Sequence, residues 1–179
     1  MKKNLLVAQS GGPTAVINAS LSGVIKEALE REEIGKVYGA KYGVEGVFRE
    51  DFINLRDTVL EQKRSIFPME SMNLGTLSPL AEEICREERD AEMTPDRMQS
   101  LAFFSRLATT PASALGSCRR KLHNPEEDSG DFDTILQVFK KWNIGYFLYI
   151  GGNDSMDTAW KLSLYFQNKG EDIRVIGVP

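Results

Sequence analysis

The sequence has few cysteines and no long apolar run. Its two cysteines, Cys85 and Cys118, have no partner at the short spacing typical of metal sites, and two lone thiols fit a reducing compartment. We therefore expect a cytoplasmic protein. No apolar stretch approaches the ~20 residues of a membrane span. The apolar run at 5–8 is also too short for a signal peptide, so we predict no membrane association.

Excess basic charge is absent as well. The 22 Lys and Arg residues stand against 26 Asp and Glu residues, for a net charge of -4, and no basic stripe with interleaved aromatics occurs. This composition argues against a nucleic-acid partner. Hydrophobic content of 41% and charged content of 27% are ordinary for a globular protein, and 179 residues suffice for one domain or slightly more.

Two common phosphate-binding fingerprints are missing, since neither G-x-x-x-x-G-K-[ST] nor G-x-G-x-x-G occurs. The sequence instead has two Gly-Gly turns, at 9–14 (QSGGPT) and 149–158 (YIGGNDSMDT), each between an apolar run and a helix-competent run. In open α/β sheets, such turns at the carboxyl ends of strands bind ligands. Two turns that open onto one edge would frame a phosphate site with backbone amides and helix N-termini.

The hydrophobic pattern predicts an α/β fold with a doubly wound, mostly parallel sheet and helices on both faces. Strands are expected at 3–8, 36–40, 146–150 and 173–178, and helices at 56–63, at 132–139, from Ala15 until Gly35 and from Ser155 to about Asn168. Residues 42–46 and 52–55 are predicted as turn and loop. A helical stretch at 80–108, broken at Thr94-Pro95, should pack an apolar stripe on the body through Met98, Leu101, Phe104 and Leu107.

Three consecutive cations end a loop of small residues. Arg119, Arg120 and Lys121 could grip phosphate oxygens, because guanidinium groups bind phosphate bidentately. The alternative is the solvated basic start of a helix. The lone His123, in a polar loop, is expected to be exposed and without a role.

Acidic and amide side chains follow the second glycine turn. Asn153 and Asp154 are expected to precede the helix beside two bare glycines, where they could hold a metal ion. Asp157 is better placed for helix capping, because an acid in the first turn favours the helix macrodipole.

Four segments, in order along the chain, resemble blocks of the phosphofructokinase family: 10–19 (SGGPTAVINA), 42–46 (YGVEG), 115–119 (LGSCR) and 150–155 (IGGNDS). The resemblance covers most of the chain except about 65–107. It implies that 1–179 is the phosphoryl-donor-binding domain, the N-terminal part of a phosphofructokinase. A helical insertion would lie at about 65–107, and the sugar-phosphate domain would be absent.

The resemblance also implies roles for individual residues. The donor diphosphate would contact Gly11, Gly12, Gly152, Asn153, Ser155 and Arg119. Catalysis would depend on Arg119 and Asp154, and Mg²⁺ would be held by Asn153 and Asp154. The implied reaction is glycolytic: a phosphoryl group passes from diphosphate to the 1-hydroxyl of fructose 6-phosphate, giving fructose 1,6-bisphosphate. Such chemistry requires positioning and charge stabilisation.

Asp154 favours diphosphate over ATP as the donor. ATP-using family members typically carry glycine there, which leaves room for the nucleotide's α-phosphate. Two unit charges ~4 Å apart interact by about 4 kcal/mol at a dielectric constant of about 20, so a carboxylate should repel an α-phosphate. We therefore expect a diphosphate-dependent 6-phosphofructokinase. An ATP-dependent member and a non-catalytic phosphate-binding module are the alternatives.

The sequence departs from the family pattern at two places. Asn153 stands where most members have aspartate; its amide oxygen can still ligate Mg²⁺, with part of that duty shifted to Asp154. The chain also stops at Pro179, the first residue of the family block that carries the general base. We therefore expect an N-terminal piece without turnover of its own. The resemblance further implies a homo-oligomer for the full-length enzyme.

Overall fold

The computed structural model describes residues 2–66 and 95–179, along which strands and helices alternate except for two successive helices at 95–109 and 130–141. The elements are β1 (Lys3–Gln9), α1 (Ala15–Glu30), β2 (Ile34–Ala40), α2 (Val44–Arg49), β3 (Phe52–Asn54), α3 (Leu55–Ile66), α4 (Pro95–Thr109), α5 (Gly130–Lys141), β4 (Ile144–Ile150), α6 (Asn153–Asn168) and β5 (Arg174–Val178). None of the helices in these two ranges combines the length and apolar character needed to span a bilayer.

The strands form one sheet in the order β3-β2-β1-β4-β5. β1 is central and runs parallel to β2 and β4, β4 is parallel to β5, and β3 alone is antiparallel to its neighbour. The register pairs Gln9 with Ile150, and the Ser10 amide donates to the Ile150 carbonyl at 2.9 Å. The carboxyl ends of β1 and β4, each followed by a Gly-Gly turn, therefore lie side by side.

The sheet is covered by helices on both faces because its central strands are apolar on both sides. In β1, Leu6 and Ala8 face one core with side chains of α5 and α6, whereas Leu5 and Val7 face a second core with α1. The α/β, mostly parallel, doubly wound fold predicted from the sequence is confirmed.

Helix α4 packs against α1. Phe104 and Leu107 are partly buried against the second core, and the Ser22 hydroxyl donates to the Phe104 carbonyl at 3.0 Å. The predicted packing is confirmed for these two apolar residues. The expectation of a charged helix before α4 lies outside the described residues.

Three local predictions were wrong. Residues 52–54 form β3 instead of a loop, because Phe52 packs edge-on against Trp142 with ring centroids 4.9 Å apart. The predicted turn at 42–46 already continues into α2 at Val44, whose side chain is fully buried. Helix α1 ends at Glu30, so Gly35 lies inside β2 rather than ending the helix.

Candidate functional site

The two Gly-Gly turns meet at a pocket of about 570 Å³ at the carboxyl edge of the sheet. A loop between α4 and α5 supplies its third wall. The pocket is lined by Ser10, Gly11, Gly12, Cys118, Arg119, Arg120, Tyr149, Gly152, Asn153, Asp154 and Ser155. The residues predicted for diphosphate, catalysis and metal thus face the same cavity, namely Gly11, Gly12, Arg119, Gly152, Asn153, Asp154 and Ser155. Lys121, the third of the predicted cations, is not among the lining residues.

Glycine allows the two turns to touch. A Cβ on Gly151 would lie 2.6 Å from the Ser10 carbonyl oxygen and would also collide with the Ser155 hydroxyl. Gly11 has a φ of +84°, which favours glycine, and a Cβ there would lie 3.7 Å from the Gly152 nitrogen. A side chain at Gly151 could therefore not be accommodated without moving the backbone of the first turn.

Both turns lead directly into helix N-termini that lack side-chain caps. Thr14 occupies the N-cap position of α1 but makes no capping hydrogen bond, and the N-cap of α6 is Gly152. The first N–H groups of a helix have no intrahelical acceptor and carry partial positive charge. The N-terminus of α6, whose first residues line the pocket, therefore favours an anion there, and the first glycine turn leads from the pocket to the N-terminus of α1.

Buried amide side chains fix the loop that forms the third wall. Gln9 is fully buried, and its Oε1 accepts from the Leu115 amide at 2.8 Å, while its Nε2 donates to Asn18 Oδ1 at 3.1 Å. Asn18 in turn accepts from the Ala114 amide at 2.9 Å and donates to the Thr110 carbonyl at 2.9 Å. This network could not be predicted from local sequence, because Gln9 and Asn18 lie about a hundred residues before the loop that they bind.

Hydroxyl groups join the same loop to the first glycine turn. Ser10 donates to the Cys118 carbonyl at 2.9 Å, and Ser117 donates to the Gly11 carbonyl. Arg119 follows directly, exposed and lining the pocket. Neither serine was predicted as a site residue, although both lie beside predicted ones.

Tyr149 forms an uncharged floor. Its side chain is almost completely buried, its hydroxyl lies 4.0 Å from the Cys118 thiol, and burial raises its pKa well above the ordinary tyrosine value. The phenol therefore stays neutral and does not repel a phosphate above it. Tyr149 was not predicted as a site residue. The one sign of it in the sequence was its position near the end of the strand that enters the second glycine turn.

The three consecutive cations differ in their contacts, and none of them begins a helix. Arg120 bonds Glu45 at 3.1 Å and Asp131 at 2.9 Å and lies 4.0 Å from the Phe48 ring centroid. Burial alone would lower the Arg120 pKa, but the two carboxylate hydrogen bonds outweigh it and raise that pKa. Arg120 therefore ties the loop to α2 and α5. Among the described residues, Arg119 has no ion-pair partner.

Replacing Arg120 with methionine should lower the free energy of unfolding by about 1–3 kcal/mol, because Glu45 and Asp131 would lose their half-buried partner. Chemical denaturation measures this change. Arg49→Met is a matched control, since Arg49 also pairs with Glu45 but is 71% exposed. We expect the control to change stability by less than about 0.5 kcal/mol. Equal losses in both variants would contradict a tie specific to Arg120.

The segment that carries Asn153, Asp154 and Asp157 differs from its prediction. Helix α6 begins at Asn153, so Asn153 and Asp154 lie in its first turn instead of preceding it. Asp157 lies beyond the first turn and pairs with Lys161 at 2.8 Å, so the predicted capping role for Asp157 was wrong. His123 is exposed in a loop, as predicted.

Asp154 lines the pocket but does not stand there alone. Its Oδ1 lies 2.9 Å from Lys121 Nζ, and both side chains are mostly exposed. This hydrogen bond raises the Lys121 pKa, which keeps the ammonium charged. With a compensating charge and water nearby, repulsion by Asp154 is closer to the ~1 kcal/mol expected in bulk water than to the value of about 4 kcal/mol at lower dielectric.

Asn153 and Asp154 offer one amide oxygen and one carboxylate to a cation. Within residues 2–66 and 95–179, no group of three or more His, Cys, Asp or Glu side chains is arranged to hold a metal ion. Mg²⁺ is commonly bound by one or two carboxylates together with substrate phosphates and water. The donors here fit that mode and not an all-protein cage.

Comparison with known proteins shows consistent similarity. The phosphofructokinase family profile matches residues 4–179. A pyrophosphate--fructose 6-phosphate 1-phosphotransferase from Xanthomonas campestris is 38% identical over 176 residues, which are 98% of this chain and 32% of that protein. Another, from Methylococcus capsulatus, is 33% identical over 99% of this chain and 33% of its own length.

Solved structures show the same similarity. The pyrophosphate-dependent phosphofructokinase from Nitrosospira multiformis superposes with a TM-score of 0.66 at 34% identity, over 99% of this chain and 33% of its own chain. The present chain thus spans about a third of the length of these relatives.

Proposed function

Because the chain belongs to the phosphofructokinase family, we propose that it forms the donor-binding part of a diphosphate-dependent 6-phosphofructokinase. The observation that carries this proposal is the single pocket of about 570 Å³ in which both glycine turns, Arg119 and Asp154 meet. The relatives' names, which specify pyrophosphate, support diphosphate as the donor. The acceptor would be the 1-hydroxyl of fructose 6-phosphate.

Each wall of the pocket would do one part of the work. Gly12 and Gly152 have open space before them, so phosphate oxygens could approach the backbone closely. The N-termini of α1 and α6 would favour the anion, and the Arg119 guanidinium would bind it through charge-assisted hydrogen bonds. In phosphoryl transfer, such fixed donors stabilise the charge that spreads over the transferred group.

Mg²⁺ fits this site as a bridge between protein and ligand. When bound, the ion would neutralise charge on the diphosphate oxygens. Asp154 would hold it through a carboxylate oxygen and Asn153 through its amide oxygen, directly or through water, with the remaining positions filled by diphosphate and solvent.

We further propose that the sugar phosphate binds through parts of the relatives that this chain does not span. The described helix α4 belongs to the predicted insertion at about 65–107, and the role of that insertion stays a prediction. A homo-oligomer likewise remains a prediction from the family resemblance.

An ATP-dependent enzyme is the second candidate, and one observation favours it. That reading requires something to neutralise Asp154, and Lys121 lies 2.9 Å from its carboxylate. A non-catalytic phosphate-binding module would use the same pocket. Only the first proposal predicts a marked preference for diphosphate that depends on the side chain at position 154.

Asp154→Gly should shift the ratio of ATP to diphosphate affinity about tenfold toward ATP, since it removes both the negative charge and the bulk beside an α-phosphate; tenfold corresponds to about 1.4 kcal/mol. Calorimetric titration of the chain with each ligand and Mg²⁺ measures the ratio. Asp157→Gly, on the same helix, should leave the ratio unchanged. An Asp154→Gly chain with the original ratio would remove the argument for the donor.

A further inference from the structure

An ion pair links the loop that forms the third wall of the pocket to Asp154, which lines the pocket; Lys121 itself is not among the lining residues. Lys121 comes from the loop between α4 and α5, and Asp154 comes from the first turn of α6; their charged atoms lie 2.9 Å apart. The side chains are 70% and 75% exposed. Exposed ion pairs contribute little to folding stability. We therefore expect the pair to affect the affinity of the pocket for its ligand and not the stability of the fold.

The backbone on both sides of Lys121 is anchored. Arg120 is held by Glu45 and Asp131, and the Leu122 side chain is buried in the core shared with α5 and α6. Lys161 also reaches the Leu122 carbonyl, at 3.5 Å. Because both neighbours are fixed, the ammonium of Lys121 is held within reach of the α6 N-terminus.

The two acids near the start of α6 are each paired with a lysine. Lys121 neutralises Asp154, and Lys161 neutralises Asp157, the next acid along the helix. When no Mg²⁺ is bound, removal of Lys121 would leave the Asp154 carboxylate unbalanced on the wall of an anion pocket. A diphosphate carries several negative charges, so its affinity should respond to this balance.

We propose that Lys121 is a positioning residue for the donor: it holds the Asp154 carboxylate at the rim and cancels its charge, so that a pocket with an acidic side chain still admits diphosphate. This inference rests on the proposed function. It assigns Lys121 a role exercised through Asp154 and not through direct contact with the ligand.

A double-mutant cycle tests this role. Inorganic diphosphate is titrated calorimetrically, with and without Mg²⁺, into the unmodified chain and into the variants Lys121→Met, Asp154→Asn and Lys121→Met with Asp154→Asn. The cycle is evaluated without Mg²⁺, where no bound ion compensates Asp154. Lys121→Met should bind diphosphate about tenfold more weakly, whereas in the Asp154→Asn background the same change should have no more than about a twofold effect. An equal loss in both backgrounds, or no loss in either, would overturn the inference.

Lys140→Met is the control for net charge, because Lys140 is an exposed lysine whose partner, Glu171, does not line the pocket, whereas the partner of Lys121 does. It should bind diphosphate as the unmodified chain does. Circular dichroism of each variant separates lost folding from lost binding. If the unmodified chain binds diphosphate and Lys121→Met binds equally well, only this inference fails. If the unmodified chain does not bind diphosphate at all, the proposed function fails as well.

Discussion

Gly151→Ala should destabilise the chain and remove most of its affinity for diphosphate. The new methyl group would lie 2.6 Å from the Ser10 carbonyl oxygen, a backbone atom that can yield only if the first glycine turn moves. Inserting such a group into a closely packed region typically lowers stability by about 1–3 kcal/mol. Displacing a positioned site by about 1 Å can reduce its performance roughly a hundredfold, and we expect a loss of that order in diphosphate affinity.

Gly152→Ala provides the matched control. A Cβ at Gly152 meets nothing within 4 Å, and its φ of -77° suits any residue. Its stability should fall by no more than about 1 kcal/mol, the order expected when alanine replaces glycine at an N-cap. Thermal denaturation of both variants compares their stability, and calorimetric titration of Gly151→Ala measures its affinity for diphosphate. A Gly151→Ala chain as stable as the control would show that contact between the turns is not needed.

Arg119→Met should weaken diphosphate binding by about 10- to 150-fold, the effect of losing about 1.5–3 kcal/mol of hydrogen bonding to a charged group. Stability should hardly change, because Arg119 is exposed and pairs with no carboxylate in the described part of the chain. Calorimetric titration and denaturation, performed on the same preparation, measure both quantities.

Two further variants sharpen this test. Arg120→Met should show the opposite pattern, with lower stability and a smaller effect on binding, because Arg120 is held by Glu45 and Asp131. Arg119→Lys keeps the charge but loses the planar fork, so it should recover only part of the affinity. Unchanged diphosphate binding by Arg119→Met would contradict the role proposed for this residue.

The arrangement of the site was predictable where it follows from local pattern. Apolar runs that end in glycine pairs indicated two strand-to-helix turns, and a parallel sheet places such turns at one edge. The pairing of Gln9 with Ile150, which makes the two turns neighbours, is a long-range contact that no local pattern encodes. The chemical roles of these residues remain predictions.

Other features depended on partners far away in the chain. Arg119 and Arg120 are indistinguishable in sequence, and they differ in structure because Glu45 lies within reach of only one of them. The antiparallel strand β3 is set by its edge position and by aromatic packing with Trp142, and the buried amide of Gln9 by loop atoms about a hundred residues later. Such choices are made by tertiary contacts.

The loop that presents Arg119 is less free than its irregular backbone suggests. Its amides at Ala114 and Leu115 donate to side chains seated on α1 and β1, as a neighbouring strand would donate to a sheet. The backbone of the loop that carries the Arg119 guanidinium is therefore already held in place before an anion binds. Binding of an anion then does not require this loop to become ordered, because the conformational entropy of the loop is lost during folding and not during binding.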